Sequence, residues 1–351
     1  MHFSNPAVAA SLLLSLSALG SAQTTDEFTV SCNTLTIQRS DPIVDPGEAS
    51  GHVHVVAGGT AFQRTMDQDT AKNSMGTTCD KDIDKSSYWV PQLYHQTSDG
   101  KFEIVENQGN AAYYLNRACN YTSGATECDN DQNKIVAMAP PAGLRMVAGD
   151  PELRTYDDSN VEQQAISHMC LKEGGSTETK SLPQEHCLRM RSQVYFPSCW
   201  NGQDLDSDDH KSHMAYPDSG YNGGVCPQSH PIAIYSLFYE FFFDTSPFED
   251  YENLVYAMGD PTGYGFHGDF INGWTDQAAL QDAFATCTGP DGMNAPECSL
   301  GKGEASDQEP EVAEPDEDVG LDSPLDKLPG DNPVTGGNST MTQSRIYRRR
   351  V

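Results

Sequence analysis

Five of the ten histidines stand in three short strings that lie far apart in the chain. The strings contain His52 and His54, then His210 and His213, and finally His267. Imidazole titrates near neutral pH and binds transition metals, so strings that fold together would make a proton-transfer or metal site. We therefore expect at least three of these five rings to meet within about one metal coordination sphere.

The first and third strings predict how their side chains are presented. His52 and His54 are two residues apart, so on a strand both rings point to one face. His267 lies in a glycine-rich turn two residues before Asp269, which suits a proton-transfer residue oriented by a carboxylate. A half-buried strand and a closely packed turn are the structural alternatives.

The second string lies among aspartates that would act as ligands or orient the rings. His210 and His213 share one face only in a helix, and the nearby Pro217 and dense charge favour a loop. A solvated polar loop is the alternative. The candidate metal ligands are His52, His54, His210, His213 and His267, with a divalent transition metal as the candidate cofactor.

Carboxylates and aromatic rings complete the candidate site. Glu240 stands in the apolar run 239–243, where burial would raise its pKa as a general acid requires. The candidate catalytic residues are His267, Asp269, His52, His54 and Glu240. An arginine would neutralise a uronate carboxylate in a lyase, and aromatic rings would stack on sugars or lie in the core. The candidate substrate-binding residues are Arg39, Arg145, Tyr88, Trp89, Trp200 and Trp274.

Other reaction classes lack their sequence signatures. There is no Gly-x-Ser-x-Gly string for a serine hydrolase and no Cys-x-x-Cys for a thiolate metal or redox site. Cleavage of a leader before Gln23 would leave glutamine at the mature terminus. This does not fit a copper oxidase that uses an amino-terminal histidine.

Short strands must position these residues. Glycine and proline turn signals recur, and the apolar runs between them are rich in aromatic and β-branched residues. The predicted strands are 29–37, 52–56, 88–94, 102–105, 112–115, 144–148, 190–196, 232–243 and 254–258. Helices are predicted near 160–171 and over 276–287. The fold class is mainly β, a β-sandwich or distorted barrel with a few short helices and long disulfide-stapled loops.

The sequence also predicts export. Residues 1–22 resemble a signal peptide, and ten cysteines after it suit five disulfides in a secreted, extracellular chain. Cys119 with Cys128, and Cys287 with Cys298, are near enough in sequence to close small loops, whereas the pairing of the others stays open. Asn120 and Asn338 begin glycosylation sequons, which predicts a glycoprotein.

The distribution of charge divides the chain after the predicted signal peptide into a domain and an acidic tail. With 51 acidic and 21 basic residues the formal charge is −30, which argues against nucleic acid and anionic membranes as partners. Ten carboxylates and no lysine or arginine fall within 304–326, so the tail 301–351 is predicted to be disordered. Residues 23–300 are then one domain, expected to be a monomer.

Several longer strings occur in a recognisable order. They are Arg39-x-Asp41-Pro42-Ile43-Val44-x-Pro46-Gly47, Asp84-Lys85-Ser86-x-Tyr88-Trp89, Phe196-Pro197-Ser198-Cys199-Trp200, Asp209-His210-Lys211-Ser212-His213 and Gly259-Asp260-Pro261-Thr262-Gly263-Tyr264-Gly265-x-His267-Gly268-Asp269-Phe270-x-Asn272-Gly273-Trp274. Together they resemble the fungal secreted domain of unknown function DUF1996, from about Arg39 to Cys298. The resemblance implies an exported, disulfide-bonded domain and no established reaction.

Two classes of function follow from these observations. One is an extracellular carbohydrate-active enzyme, a hydrolase or lyase, with a histidine and aspartate site that a metal assists. Its partner would be a polysaccharide or cell-wall glycan. The other is a non-enzymatic cell-wall-associated or metal-binding protein in which the same histidines are structural or hold an ion.

Overall fold

Strands dominate the structure, as the sequence predicts. The computed structural model describes residues 27–128, 137–287, 292–301 and 312–336, so the predicted signal peptide and the second predicted sequon lie outside the described residues. The strands are β1 (Glu27–Cys32), β2 (Thr34–Gln38), β3 (His54–Gly58), β4 (Ser87–Pro91), β5 (Leu93–Gln96), β6 (Phe102–Ile104), β7 (Asn107–Leu115), β8 (Ala118–Cys119), β9 (Arg145–Gly149), β10 (Ile166–Lys172), β11 (Gly175–Thr179), β12 (Arg189–Tyr195), β13 (Cys199–Trp200), β14 (Met214–Ala215), β15 (Gly224–Val225), β16 (Ile232–Ala233), β17 (Ser236–Phe243), β18 (Leu254–Tyr256) and β19 (His267–Ile271).

Two larger sheets and three small ones organise these strands. A six-stranded sheet has the order β1-β7-β17-β12-β10-β11, and a five-stranded sheet has the order β2-β3-β4-β19-β9. The small sheets are β18-β5-β6, β14-β13-β16 and the parallel pair β15-β8. All neighbours within the two larger sheets are antiparallel.

The two larger sheets pack face to face. Tyr88 of β4 meets Tyr239 of β17 with ring centroids 5.5 Å apart. The hydroxyl of Tyr88 also lies 2.8 Å from the hydroxyl of Tyr114 on β7. A Cβ on Gly268 would come 2.8 Å from a methyl group of Val194 on β12, so the backbones approach closely there. The β-sandwich expectation is confirmed.

Alternation along β4 divides its side chains between two environments. Tyr88 faces the six-stranded sheet, whereas Trp89 points to the other, outer face of the five-stranded sheet. There Trp89 packs in a second apolar cluster with Ile43, Phe62 and Met66, which belong to the chain between β2 and β4. The five-stranded sheet is therefore covered on both faces.

One predicted helix is confirmed and one is largely wrong. Helix α2 (Gln277–Thr286) lies where 276–287 was expected, and Asp276 caps its start by accepting from the Ala279 N–H at 2.9 Å. Helix α1 (Val161–Gln164) is only four residues long, with Asn160 as its N-cap. Residues 166–172 instead form β10, because β11 and β12 supply its hydrogen bonds on both sides.

Disulfides staple the fold in five places. All ten cysteines are paired, as Cys32–Cys79, Cys119–Cys128, Cys170–Cys187, Cys199–Cys226 and Cys287–Cys298. The two short loops expected from the sequence are among them. No helix within the described ranges is long and apolar enough to span a bilayer.

The acidic C-terminal segment 312–336 packs on the domain. Val319 and Leu328 are buried in a third apolar cluster with Val53 and Tyr94. The Tyr94 hydroxyl donates to the Val319 carbonyl at 2.8 Å, and Leu325 exchanges two 2.8 Å backbone hydrogen bonds with Phe102. The disorder expected for the tail therefore does not hold for 312–336.

Candidate functional site

The site is built on the outer face of the five-stranded sheet. His267 and Asp269 stand two residues apart on β19, so both side chains point to that face. Asp269 is opposite Trp89 on β4, and Trp89 is opposite Val56 on β3. His54 begins β3 and lies two residues from Val56, which puts its ring on the same face.

Three of the five predicted histidines meet there. The Nε2 atoms of His52 and His267 are 3.0 Å apart. The ring centroid of His54 is 4.4 Å from that of His52 and 5.9 Å from that of His267. One nitrogen from each of the three rings lies within 4.8 Å of the others. This histidine trio confirms the expectation that at least three of the rings converge.

The loop before β19 fixes the orientation of His267. The Nδ1 of His267 lies 2.9 Å from the Gly265 carbonyl, which holds the proton on Nδ1 and leaves the Nε2 lone pair facing His52. The fully buried carboxylate of Asp260 orders the loop by accepting from the N–H groups of Thr262 and Gly265, at 2.8 and 2.7 Å. The Gly-Asp-Pro-Thr-Gly-Tyr-Gly string thus positions the ring.

A second group of ligand-type atoms shares His54. Asp41, His54 and Asp269 each bring one such atom within 4.8 Å of the others. Asp41 follows β2, and its Oδ1 accepts from the N–H groups of Ile43 and Val44, both at 2.9 Å. Its carboxylate is therefore held in place by the adjacent turn. The sequence analysis did not name Asp41 as a site residue, although it stands in the first family string.

The cluster contains buried polar atoms that have no partner among the described residues. Both carboxylate oxygens of Asp269 are in this position, and neither ring nitrogen of His54 makes a hydrogen bond of standard geometry, although the Ser40 backbone lies close enough to favour protonation of His54. His54 is 0% exposed and Asp269 is 1% exposed. Buried polar groups are normally hydrogen-bonded, and leaving one unpaired costs about 1–3 kcal/mol. A bound ligand would supply partners for the Asp269 oxygens and for one ring nitrogen of His54.

Burial also sets the protonation of the cluster. It lowers the pKa of His267 to about 4, and lowers the pKa values of His52 and His54 well below the usual range, with the neighbouring rings adding to the effect. Burial raises the pKa of the Asp269 carboxyl well above its usual range. The three imidazoles are therefore neutral, the form that binds a metal.

The C-terminal segment passes beside the histidine trio. The Asn332 side chain donates to the carbonyl of Gly51, the residue before His52, at 2.8 Å. The Thr335 N–H donates to the Gly259 carbonyl at 2.9 Å, so residues 332–335 run from the first histidine string to the loop that precedes β19. His52 keeps partial exposure and is the member of the trio that solvent reaches.

The histidines of the second string lie outside the trio, which corrects the expected metal set. The Nε2 of His213 is 2.7 Å from the Arg145 carbonyl, and its Nδ1 is 2.9 Å from the Ser207 hydroxyl. Both nitrogens of this buried ring are thus used by the surrounding chain. His210 pairs with Asp206 at 2.8 Å, with its backbone at a φ of 56°. These contacts fix the loop.

Lys211 is the residue of the second string that reaches the site. Its ammonium donates to the Gly149 carbonyl at 2.7 Å, and Gly149 pairs with His267 across β9 and β19. Its positive charge opposes protonation of His267 and favours the ionised form of Asp269. The sequence signal was the lysine inside the His-Lys-Ser-His string, which was considered only for its histidines.

Two of the charged candidates are engaged elsewhere. Glu240 lies on β17 in the other sheet and binds Arg191 at 2.9 Å, so it is not part of the histidine site. Arg145 directs its guanidinium to the carbonyls of Pro42 and Met66. Neither position fits the expected role.

Arg39 stands at the edge of the site. Its Nε pairs with Glu317 of the C-terminal segment at 3.2 Å, and its charge lowers the pKa of His52. A cavity of about 310 Å³ lies between Arg39 and residues of the C-terminal segment. Its position next to His52 agrees with a substrate-binding role, but the carboxylate of Glu317 already occupies the guanidinium.

The expected sugar-stacking aromatics are mainly core residues. Tyr88 and Trp89 are 0% exposed and Trp274 is 1% exposed, so a polysaccharide cannot stack on them. Tyr88, Tyr114 and Trp274 instead share a buried hydrogen-bond network. Trp200 is partly exposed, and its indole N–H donates to the Asp204 carbonyl at 2.6 Å. Alternation along β4 placed both Tyr88 and Trp89 in apolar clusters because both faces of that sheet are covered.

The comparisons with known proteins identify the family. No curated protein and no solved structure matches the chain. One family profile matches residues 41–274, a span that includes Asp41, the whole histidine trio and Asp269. The chain therefore belongs to the family described as domain of unknown function DUF1996.

Proposed function

We propose that the protein binds a divalent transition metal through His52, His54 and His267, and that this centre serves an extracellular hydrolase or lyase that acts on polysaccharide. The observation that carries the metal assignment is the trio itself. The neutral rings of His52, His54 and His267 meet beside the carboxylate of Asp269, and all but the partly exposed His52 are buried. A bound cation would take one nitrogen of each ring.

The spacing of the ring nitrogens suits a metal. Nitrogen ligands lie about 2.0–2.1 Å from zinc and similar ions, so two of them are about 2.9 Å apart at right angles and about 3.3 Å apart in a tetrahedral site. The 3.0 Å between the Nε2 atoms of His52 and His267 lies between these two separations. The Gly265 carbonyl holds the other nitrogen of His267, as backbone carbonyls commonly do for metal-binding histidines.

The carboxylates beside the trio would add proton transfer to the chemistry of the metal. A divalent ion would supply a Lewis acid for a substrate oxygen. We propose that Asp269 holds a proton for a leaving group, since one of its oxygens lies within 4.8 Å of a ring nitrogen of His54. Asp41 remains anchored by the turn that it caps.

A polysaccharide substrate is supported by charge and by the disulfide content. The formal charge of −30 disfavours polyanions, uronate polymers as well as nucleic acids, so hydrolysis of a neutral polymer is the better match and the lyase is the less favoured alternative. Five disulfides are typical of chains that work in an oxidising compartment, where cell-wall glycans are found. We accordingly propose secretion of the chain.

One observation favours metal binding without catalysis as the second candidate. Residues 332–335 cross from Gly51 to Gly259 and leave only partial access to His52. A site closed in this way suits retention of an ion. The enzyme proposal requires that a substrate still reaches the metal beside this segment.

Metal analysis followed by an activity screen tests both candidates. The protein is purified without a histidine tag, its metal content is measured, and it is loaded with zinc, copper, manganese or iron. We expect about one ion per chain in the wild type and loss of that ion in His54→Ala and His267→Ala. His186→Ala is the matched control, because the side chain of His186 is 42% exposed and lies outside the trio.

The loaded protein is then incubated with neutral glucans, chitin, mannans and uronate polymers. New reducing ends report hydrolysis, and unsaturated products report elimination. The enzyme proposal is supported if product forms only in the presence of metal and if His267→Ala lowers the rate of product formation by about 10²- to 10⁴-fold or more. If metal is bound but no polymer yields a product, the enzyme proposal is rejected and metal binding without catalysis is retained. If no preparation contains metal, the proposed metal site is itself rejected.

A further inference from the structure

The outer face of the six-stranded sheet carries a row of aromatic rings. Tyr113 of β7 lies directly opposite Phe238 of β17, which lies opposite Tyr195 of β12. The rings of Phe238 and Tyr195 are stacked, with centroids 4.1 Å apart and planes 21° from parallel. Tyr113 lies 5.5 Å from Phe238, and Tyr221 continues the row 5.0 Å from Tyr195. The three tyrosines are partly exposed.

A row of polar side chains runs beside the aromatic row. Two residues further along the strands, Glu240, Gln193 and Ser167 stand opposite one another on β17, β12 and β10. The Gln193 amide donates to the Ser167 hydroxyl at 2.7 Å, and the Tyr113 hydroxyl donates to Glu240 at 3.0 Å. Arg191 binds Glu240 at 2.9 Å. Glu240, Gln193 and Ser167 are each 5% exposed, so they brace the rings, and Arg191 is the partly exposed polar group beside them.

This surface is on the opposite side of the molecule from the histidine trio. Val194 and Phe196 alternate with Tyr195 and point inward, where they meet Gly268 of β19. His267 and Asp269 alternate with Gly268 and point away from the six-stranded sheet. The aromatic row and the trio thus lie on the two outer faces of one sandwich.

The charges around the row are balanced. Those that act on its tyrosines are three carboxylates and three cations, namely Glu27, Glu178, Glu240, Arg117, Lys180 and Arg191. A locally neutral patch is unusual in a chain with a formal charge of −30. It fits a neutral ligand better than a charged one.

A neutral sugar chain has the chemistry that this surface offers. Each pyranose ring presents C–H groups on its faces, which pack on aromatic rings, and hydroxyls at its edge, which exchange hydrogen bonds with groups such as guanidinium. The partly exposed tyrosines supply the first kind of contact, and the side chain of Arg191, 23% exposed, supplies the second, whereas Phe238 is only 8% exposed and supports the tyrosines. We propose that Tyr113, Tyr195 and Tyr221, held in place by Phe238 and the buried polar row, form with Arg191 a binding platform for a neutral polysaccharide.

Affinity electrophoresis tests the platform directly. Native gels are cast with soluble β-1,3-glucan, hydroxyethyl cellulose or galactomannan, with polygalacturonate as the anionic comparison. We expect at least one neutral polymer to retard the wild type, and Tyr195→Ala and Tyr113→Ala each to weaken that binding by about 3- to 10-fold. Tyr195→Phe keeps the ring and should bind as the wild type does. Tyr121→Ala, a partly exposed tyrosine away from the row, is the control.

The outcomes separate the platform from the proposed catalytic function. His267→Ala should retain wild-type retardation, because its side chain lies on the other outer face, and chelator should have no effect. Thermal melts of each variant exclude unfolding as the cause of weaker binding. Retardation by polygalacturonate alone, no retardation by any neutral polymer, or undiminished binding by a folded Tyr195→Ala would each overturn the platform.

Discussion

The Nε2 atoms of His52 and His267 lie 3.0 Å apart although 215 positions separate the residues in the chain. The Gly265 carbonyl holds the proton of His267 on Nδ1, so its Nε2 offers a lone pair. Without an ion, His52 must donate to that lone pair. With an ion bound, the Nε2 lone pairs of His52 and His267 would both point at the ion, and the two nitrogens would be neighbouring ligands.

Replacement of Asp269 by asparagine should raise the stability of the metal-free protein and reduce its stabilisation by metal. Both oxygens of Asp269 are buried without a partner among the described residues, and neutral asparagine costs less to bury than a carboxylate. In chelator we expect Asp269→Asn to be more stable than the wild type by about 1–3 kcal/mol. The rise in melting temperature on adding metal should be smaller in the variant.

The matched control for that change is Asp250→Asn. Its carboxylate is 44% exposed and binds His95 at 2.8 Å, so its replacement in chelator should not stabilise the protein. Thermal unfolding with and without metal measures both variants. A clear loss of stability in metal-free Asp269→Asn would show that the carboxylate is structural.

The sequence predicted the trio only in part because local spacing does not show which strands pair. The rings of His52 and His54 were correctly brought together, although His52 lies in a bend and the strand predicted over 52–56 begins only at His54. His267 was assigned to a glycine-rich turn, whereas it begins β19. Gly268 is inside that strand because Val194 approaches its Cα, a tertiary contact that leaves no periodic signal.

The same limit explains why the predictions of a helix near 160–171 and of a disordered tail were wrong. Ile166 to Lys172 can form a strand because β12 pairs with it, and the amphipathic pattern alone did not show this partner. In the tail, average composition concealed Val319 and Leu328. These two residues pack on the apolar surface of Val53 and Tyr94, and the backbone hydrogen bonds between Leu325 and Phe102 also hold residues 312–336 on the domain.

The longest disulfide loop should matter most for stability. Cys32–Cys79 closes a loop over a sequence separation of 47, and Cys119–Cys128 one of 9. Restriction of the unfolded chain then contributes about 4 kcal/mol for the first and about 3 kcal/mol for the second. We expect the double variant Cys32→Ala/Cys79→Ala to be less stable than Cys119→Ala/Cys128→Ala. Equal midpoints in urea unfolding would contradict the loop-entropy explanation.

Asp84 should make stability depend on pH in the mildly acidic range. It is 0% exposed, and burial raises its pKa from 3.8 to about 6, although hydrogen bonds from Ser86 and Tyr88 oppose the shift. Between these two pH values the unfolded chain loses the proton while the folded chain keeps it. The contribution of Asp84 to stability is therefore present below about pH 4 and falls as pH rises to about 6, by about 3 kcal/mol.

Asp84→Asn tests this dependence, because the amide can still accept from the Ser86 N–H and does not titrate. The difference in unfolding free energy between wild type and variant should shift in favour of the variant as pH rises from 4 to 6. Urea unfolding at half-unit pH intervals measures it. A difference that stays constant over this range would mean that Asp84 ionises normally in the folded protein.

The C-terminal segment should contribute to stability through Leu328. This side chain is 0% exposed, whereas Leu321 in the same segment is 61% exposed. Leu328→Ala removes buried methyl groups from the cluster with Val53 and should lower the free energy of unfolding by about 2–5 kcal/mol. Leu321→Ala should change it by less than about 0.5 kcal/mol. If the two variants melt alike, residues 312–336 do not pack on the domain in solution, and the partial closure of the histidine site beside Asn332 is lost with them.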